Sequence, residues 1–206
     1  MQRSSTVAAP LHTPYLSDMG LKTTILVILV AIGLYFLLRP TDVNLNSSIF
    51  IYRDPKYVYS KVSDIQLNMK NHKYGRKAVV KEKYTRDDNV KCEVYEVTEV
   101  IPLGLFDWEY TLVFDTVFEF TKPGEELRIH YHIWYAGLSG NIIRTFKPKD
   151  EEGGPGCLVE EEMTIRTPWV SSQYVLHHSK ATHPDSLYHM KLTIESMHEY
   201  FNERKE

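Results

Sequence analysis

Residues 107–121, DWEYTLVFDTVFEFT, alternate between two kinds of side chain. Trp108, Tyr110, Leu112, Phe114, Thr116, Phe118 and Phe120 share one side of an extended chain, while Glu109, Asp115 and Glu119 fall on the other. Successive strand residues point to opposite faces, so the pattern predicts a strand with one buried face. Lys122-Pro123-Gly124 ends it. The same period persists on both sides. Upstream, Lys77–Thr85 and Val90–Ile101 read as strands joined at Asp87-Asp88-Asn89, with Pro102-Leu103-Gly104 closing the second. Downstream, Glu126–Tyr135 puts Leu127, Ile129, Tyr131, Ile133 and Tyr135 on one face. Gly137–Gly140 turns the chain into a shorter strand, Asn141–Lys147. Pro148–Gly156 reads as an acidic, glycine-rich loop, and Cys157–Trp169 as the last strand. Consecutive strands joined by short turns make an antiparallel meander.

Helical signals flank the meander. Ser48–Tyr52 is a short strand, after which Asp54 is placed to cap a helix with Pro55 in its first turn. A second short helix is expected over Ile65–Asn71. At the other end a helix is predicted from Pro184 to Arg204, capped by Thr182 or His183. Leu187, Met190, Ile194, Met197 and Phe201 recur there at 3-4-3-4 spacing. Such a stripe must be buried, and the aromatic sheet face is its natural partner.

Ahead of all this stands Leu21–Leu38, LKTTILVILVAIGLYFLL, with no charge after Lys22 until Arg39. As a helix it is about 27 Å long, close to the roughly 30 Å of bilayer hydrocarbon. Lys22 and Arg39 can snorkel to the two interfaces. No A-x-A-like cleavage site follows, so the run reads as an uncleaved single-pass anchor. The expected division is a disordered tail at 1–20, a transmembrane helix at 21–38, a linker at 39–46 and one folded domain at 47–204. Basic residues near both ends of the run give a slight excess after it, which places the domain in the cytosol. The chain carries a net charge of −3, and Arg3, Lys22 and Arg39 all precede the domain, leaving the domain more acidic still. That excludes nucleic acid as a partner, since phosphate binding needs a concentrated positive face. The two cysteines, Cys92 and Cys157, are too few for a disulfide framework or a metal knuckle and read as buried thiols.

Strand, two short helices, six-stranded meander, long C-terminal helix: this order resembles the START-like (SRPBCC) superfamily. That group includes Bet v 1-like proteins, polyketide cyclases and aromatases, and coenzyme Q-binding proteins. The resemblance rests on Ser48–Asp54 leading into Pro55–Val62, on Trp108–Phe120 and on the Leu187–Phe201 stripe. It implies an α+β helix-grip fold, a curved antiparallel sheet wrapped around the C-terminal helix, with an apolar cavity between them. It implies binding of a lipid or other hydrophobic small molecule and carries over no catalytic residue.

The cavity residues expected on this reading are Trp108, Tyr110, Phe114, Phe118, Tyr131, Glu161, Met163, Met190, Ile194 and Met197. Trp169, Tyr174 and Leu176, between last strand and last helix, are gate candidates. Glu161 sits in the row Cys157, Val159, Met163, Ile165, and a carboxylate there must be paired, protonated or turned out by a bulge. Glu96 raises the same question in the row Val90, Cys92, Val94. His130 and His132 share a strand face, but no third ligand accompanies them, and they read as an outer face rather than a metal site. No GxSxG, Walker or GxGxxG motif is present, and no cofactor is expected. The leading expectation is a membrane-tethered carrier of an apolar molecule. The alternatives are a scaffold whose cavity is filled by its own side chains, and a cyclase- or dehydratase-type enzyme.

Overall fold

The computed structural model describes residues 15–102 and 108–202, with side chains from Lys22 to Met197. It divides into two units at the Arg39–Pro40 bond.

The first unit contains one helix, α1 (Tyr15–Leu38). It begins inside the stretch expected to be a tail; the remainder of that tail, 1–14, lies outside the described residues. The large apolar side chains from Ile25 to Leu38 are all exposed. Among the described residues no helix is long and apolar enough to cross a membrane; the described side chains of α1 begin one residue inside the run expected to do so.

The second unit is built on a seven-stranded antiparallel sheet. Its strands are β1 (Pro40–Ile51), β2 (Gly75–Thr85), β3 (Lys91–Pro102), β4 (Glu109–Lys122), β5 (Glu126–Ile133), β6 (Leu138–Glu151) and β7 (Gly154–Pro168), in the order β1-β7-β6-β5-β4-β3-β2. Between β1 and β2 lie α2 (Pro55–Val62) and α3 (Ile65–Asn71), each opened by an aspartate. Asp54 accepts from the Lys56 and Tyr57 amides, and Asp64 from those of Gln66 and Leu67. The chain closes with α4 (Trp169–Asn202). This is the helix-grip architecture.

Four expectations are corrected. The stretch 39–46 is not a linker: from Pro40 it forms the first half of β1, paired residue for residue with β7 from Pro40↔Pro168 to Ile51↔Cys157. Val43 and Leu45 alternate with Asp42, Asn44 and Asn46, and pairing covers what would otherwise be an open edge of β7. β6 is not short, and 148–156 is not a loop: the ladder runs on to Glu151↔Gly154, leaving the two-residue turn Glu152-Gly153, directly after which Gly154 has φ +116°. The residues added are exposed on both faces, which is why they carry no apolar alternation.

The helix does not start at Pro184, which lies inside α4. Proline removes one helical hydrogen bond but does not end a helix held on both sides by packing. The buried stripe of the first half consists of Ser172, Ser179, Thr182 and Ser186, and that of the second half of Leu187, Met190 and Ile194. Hydroxyls in that first half turn back on the helix, Ser172 to the Trp169 carbonyl and Thr182 to that of His178.

In β3, finally, the inward row is Tyr95, Val97, Glu99 and Ile101. Cross-strand pairing fixes this, with Tyr95↔Thr116 and Val97↔Phe114. Glu96 is therefore on the outer face and exposed.

The core lies between sheet and helices. Ile51, Val58, Val62, Leu127, Val159, Met190 and Ile194 are almost wholly buried in one cluster. Cys92 and Cys157 are free, buried thiols.

Candidate functional site

α4 packs along β1 and β7, and the inner faces of β3–β6 are covered by α3 and by the first half of α4, whose buried positions are small. A cavity of about 350 Å³ remains there. Its walls are apolar over β3–β7 (Val97, Leu112, Phe114, Phe118, Ile129, Ile142 and Ile165), while α4 contributes Ser171, Val175, Ser179, Thr182 and Ser186.

A compact polar group interrupts these walls. Arg144 and Glu161 face each other across the β6–β7 ladder, with Arg144 Nε donating to Glu161 Oε2 at 2.6 Å. Both are buried, at 5% and 1% exposure. Arg144 Nη1 also donates to Asn68 Oδ1 at 2.7 Å. The second Glu161 oxygen meets His183 Nδ1 at 2.9 Å and, more distantly, the Ser47 hydroxyl. Burial alone would raise the Glu161 carboxyl, but Arg144 and His183 outweigh it and hold it down at about 2. Glu161 is thus an ion-pair member that fixes Arg144 and His183, both of which line the cavity; it does not line it itself. A buried ion pair survives only when its remaining hydrogen-bonding capacity is also met, and Asn68, His183 and Ser47 meet it here.

Along the wall, His72 Nδ1 lies 3.6 Å from Glu99 Oε1. Burial pushes the Glu99 carboxyl up to about 7. Burial, reinforced by His183 and Arg144, pushes His72 down to about 4. Near pH 6 both are neutral. Tyr131, raised by burial and then by Glu99 and Glu161, lies flat over Gly140, its cross-strand partner; a Cβ at Gly140 would sit 2.1 Å from the Tyr131 ring. Two buried polar atoms of this wall, His72 Nδ1 and Thr116 Oγ1, have no hydrogen-bond partner. Such atoms cost roughly 1–3 kcal/mol each unless something else satisfies them.

At the mouth the Tyr174 hydroxyl donates to the Pro102 carbonyl at 2.9 Å, linking α4 to the end of β3. The Tyr174 ring stacks on His178 at 4.1 Å, and the Tyr74 hydroxyl meets His178 Nδ1 at 3.3 Å.

Of the expected cavity residues, Tyr110, Phe114, Phe118 and Tyr131 line this space. Trp108 does not; it is 63% exposed at the end of the sheet. Met163, Met190 and Ile194 are buried in the solid core, and half-buried Met197 also stands away from the cavity, because the space lies under the serine-rich half of α4 rather than under its apolar stripe. Among the gate candidates Tyr174 lines the mouth, whereas Trp169 and Leu176 lie in the first two turns of α4 without lining it. Sequence reasoning passed over Arg144, Glu99, His72 and Thr116 as site groups. Arg144 left a signal, a cation between Ile142 and Phe146 in an inward row. His130 lies on the outer face 3.5 Å from Glu119, and His132 is exposed.

No protein-family model matches the chain, and no curated protein matches its sequence. Solved structures do match its fold. The di-domain aromatase/cyclase StfQ of the steffimycin biosynthetic pathway superposes with a TM-score of 0.58 at 14% identity, over 92% of this chain and 62% of that one. This chain thus spans less than two thirds of StfQ. The Zhui aromatase/cyclase from a Streptomyces species gives 0.57 at 8% identity, over 75% of this chain and 94% of that one. A protein from Thermus thermophilus gives 0.56 at 12% identity, over 75% and 99%. At such identities the likeness is one of fold.

Proposed function

We propose that the chain is a membrane-tethered binding protein for an uncharged hydrophobic molecule bearing one hydroxyl or carbonyl group. The observation that carries this is the cavity: about 350 Å³ of apolar wall with two unsatisfied buried polar atoms, His72 Nδ1 and Thr116 Oγ1. Ligand sites typically begin near 300 Å³ and combine apolar walls with a few placed polar groups, so a cavity filled by its own side chains is disfavoured. The ligand's lack of charge follows from the wall's electrostatics. Arg144 is the only lysine or arginine among the described lining residues, and Glu161 already neutralises it. A carboxylate or phosphate entering here would be buried without a free cation. The run Leu21–Leu38, uncharged after Lys22, supports the tether, and the slight excess of basic residues after it favours the cytosolic side for the domain.

The test is a titration of the purified full chain with two fluorescent probes of equal length, a pyrenyl alkanol and the matching alkanoic acid. The alkanol is expected to saturate near one per chain and, at pH 8, to bind about tenfold or more tighter than the acid, a difference of about 1.4 kcal/mol. Ser179→Phe, which fills the space under α4, abolishes saturation. Binding of neither probe, or equal binding by the filled variant, overturns the reading.

One observation favours a second reading. A carboxyl held at about 7 beside a neutral imidazole can give and take a proton near neutral pH, which suits acid–base chemistry on the bound molecule. Under that reading Glu99→Gln still binds the alkanol but no longer converts the natural ligand.

A further inference from the structure

We infer that the end of the sheet at which β1 starts is a docking surface for the bilayer that carries the tether, so that the cavity exchanges its ligand with that bilayer. The inference rests on the proposed anchoring at Leu21–Leu38.

The chain has three tryptophans, Trp108, Trp134 and Trp169, and all are exposed, at 63%, 77% and 47%. They come from three separate places: the residue before β4, the 3-10 turn after β5 (Trp134–Ala136) and the first residue of α4. Strand register nevertheless brings them to one end. The β3–β4 ladder terminates there at Pro102↔Glu109, the β5–β6 ladder at Ile133↔Leu138, and the β1–β7 ladder at Pro40↔Pro168. Exposed Val113, Tyr135 and Val170 lie at the same end, and the Tyr135 hydroxyl accepts from the Val113 amide, tying the turn to β4. Elsewhere on the domain the exposed large apolar side chains are valine, leucine and tyrosine, among them Val79, Tyr84, Tyr188 and Leu192. Exposed large apolar side chains gathered at one end of a domain mark an interaction surface, and tryptophan is the side chain most at home at a membrane–water boundary.

Chain connectivity selects the bilayer as the occupant. α1 ends at Leu38 and β1 starts at Pro40, so Arg39 alone separates them. One residue spans at most about 3.6 Å. A chain whose 21–38 run is inserted therefore keeps the first residue of β1 near the headgroups by connectivity alone. The opposite end has no tryptophan; there the β6–β7 turn carries Asp150, Glu151 and Glu152, with Glu151 paired to Lys149. The cavity reaches the tryptophan end, where Tyr110, Ala136 and Leu138 line it and Tyr174 closes on Pro102. An apolar molecule can pass there between bilayer and cavity without crossing water.

The experiment reconstitutes the full chain into phosphatidylcholine vesicles with and without dibrominated phosphatidylcholine. Tryptophan emission reports this surface alone, because α1 contains none. Side chains at the headgroup–acyl boundary lie about 5–10 Å deep, within reach of the bromines, so about a twofold loss of emission is expected. Trp134→Phe should remove the largest share of that loss. Resistance to alkaline carbonate extraction reports the anchor separately. An anchored chain whose emission ignores the bromolipid and yields to aqueous acrylamide overturns the docking surface and leaves the tether standing. A chain released by carbonate overturns the tether, and the docking surface with it.

Discussion

Replacing Glu99 by glutamine should stabilise the fold at pH 8 and leave it unchanged at pH 4. The Glu99 side chain is 18% exposed, and its carboxyl is lifted from an ordinary value of 4.5 to about 7 by burial. Below pH 4.5 the folded and unfolded states both keep the proton, and the group contributes nothing to pH dependence. Between 4.5 and 7 the unfolded chain has released it while the folded chain holds it. Stability then falls as pH rises, because the folded state binds more protons. Above about 7 the cost is complete, roughly 3 kcal/mol from the difference between the two values. Glutamine imitates the protonated carboxyl and cannot titrate, so its advantage should grow across that window to roughly 3 kcal/mol. For a chain of this size that corresponds to about 6–12 °C in melting temperature. The assay is thermal unfolding of the full chain in detergent, followed by near-ultraviolet circular dichroism at several pH values from 4 to 8. An advantage independent of pH, or one that shrinks as pH rises, would refute the assignment of Glu99 as a buried neutral acid.

Arg144→Met should cost about 3–5 kcal/mol, because it leaves Glu161 charged and buried at 1% exposure with His183 as its closest remaining polar neighbour; Arg144→Met combined with Glu161→Gln should recover much of that loss, and a single variant that melts within about 2 °C of wild type sinks the argument. Phe118→Asp, at a side chain 2% exposed, should abolish folding by the same measurement, whereas Trp108→Asp, at 63% exposed, should melt like wild type.

The meander was legible because its central strands have one wet and one dry face, and period two then reports directly on the core. β4 and β5 show this, with Leu112, Thr116 and Phe118 buried in one and Leu127, Ile129 and Ile133 in the other. Where both faces are wet, as over 148–151, the same geometry leaves no pattern, and the last four residues of β6 were read as a loop. β1 failed differently. Val43 and Leu45 alternate correctly, but polar neighbours on both sides hid a two-residue signal, and only the need to cover β7 explains the strand. The first half of α4 failed because serine and threonine, rather than leucine, form its contact stripe. They were read as a connection, and Pro184 then looked like a beginning.

That serine-rich stripe is also what makes the site. Small side chains at 172, 179, 182 and 186 let α4 cross the sheet without filling the space below, whereas Leu187, Met190 and Ile194 fill it one turn later. An apolar period marks where a helix closes a core, so reasoning from the stripe placed the cavity under Met190 and Met197, where the protein is solid. The polar wall was hidden by parity. In KCEVYEVTEVIP both rows of β3 carry apolar residues and a carboxylate, and the choice between Glu96 and Glu99 is made by the pairing of Val97 with Phe114, a contact between strands. Glu161 escaped that ambiguity because every other residue of its row is apolar or small. A carboxylate so placed demands a cation at the same depth on a neighbouring strand, and Arg144, between Ile142 and Phe146 on β6, is the residue that register delivers.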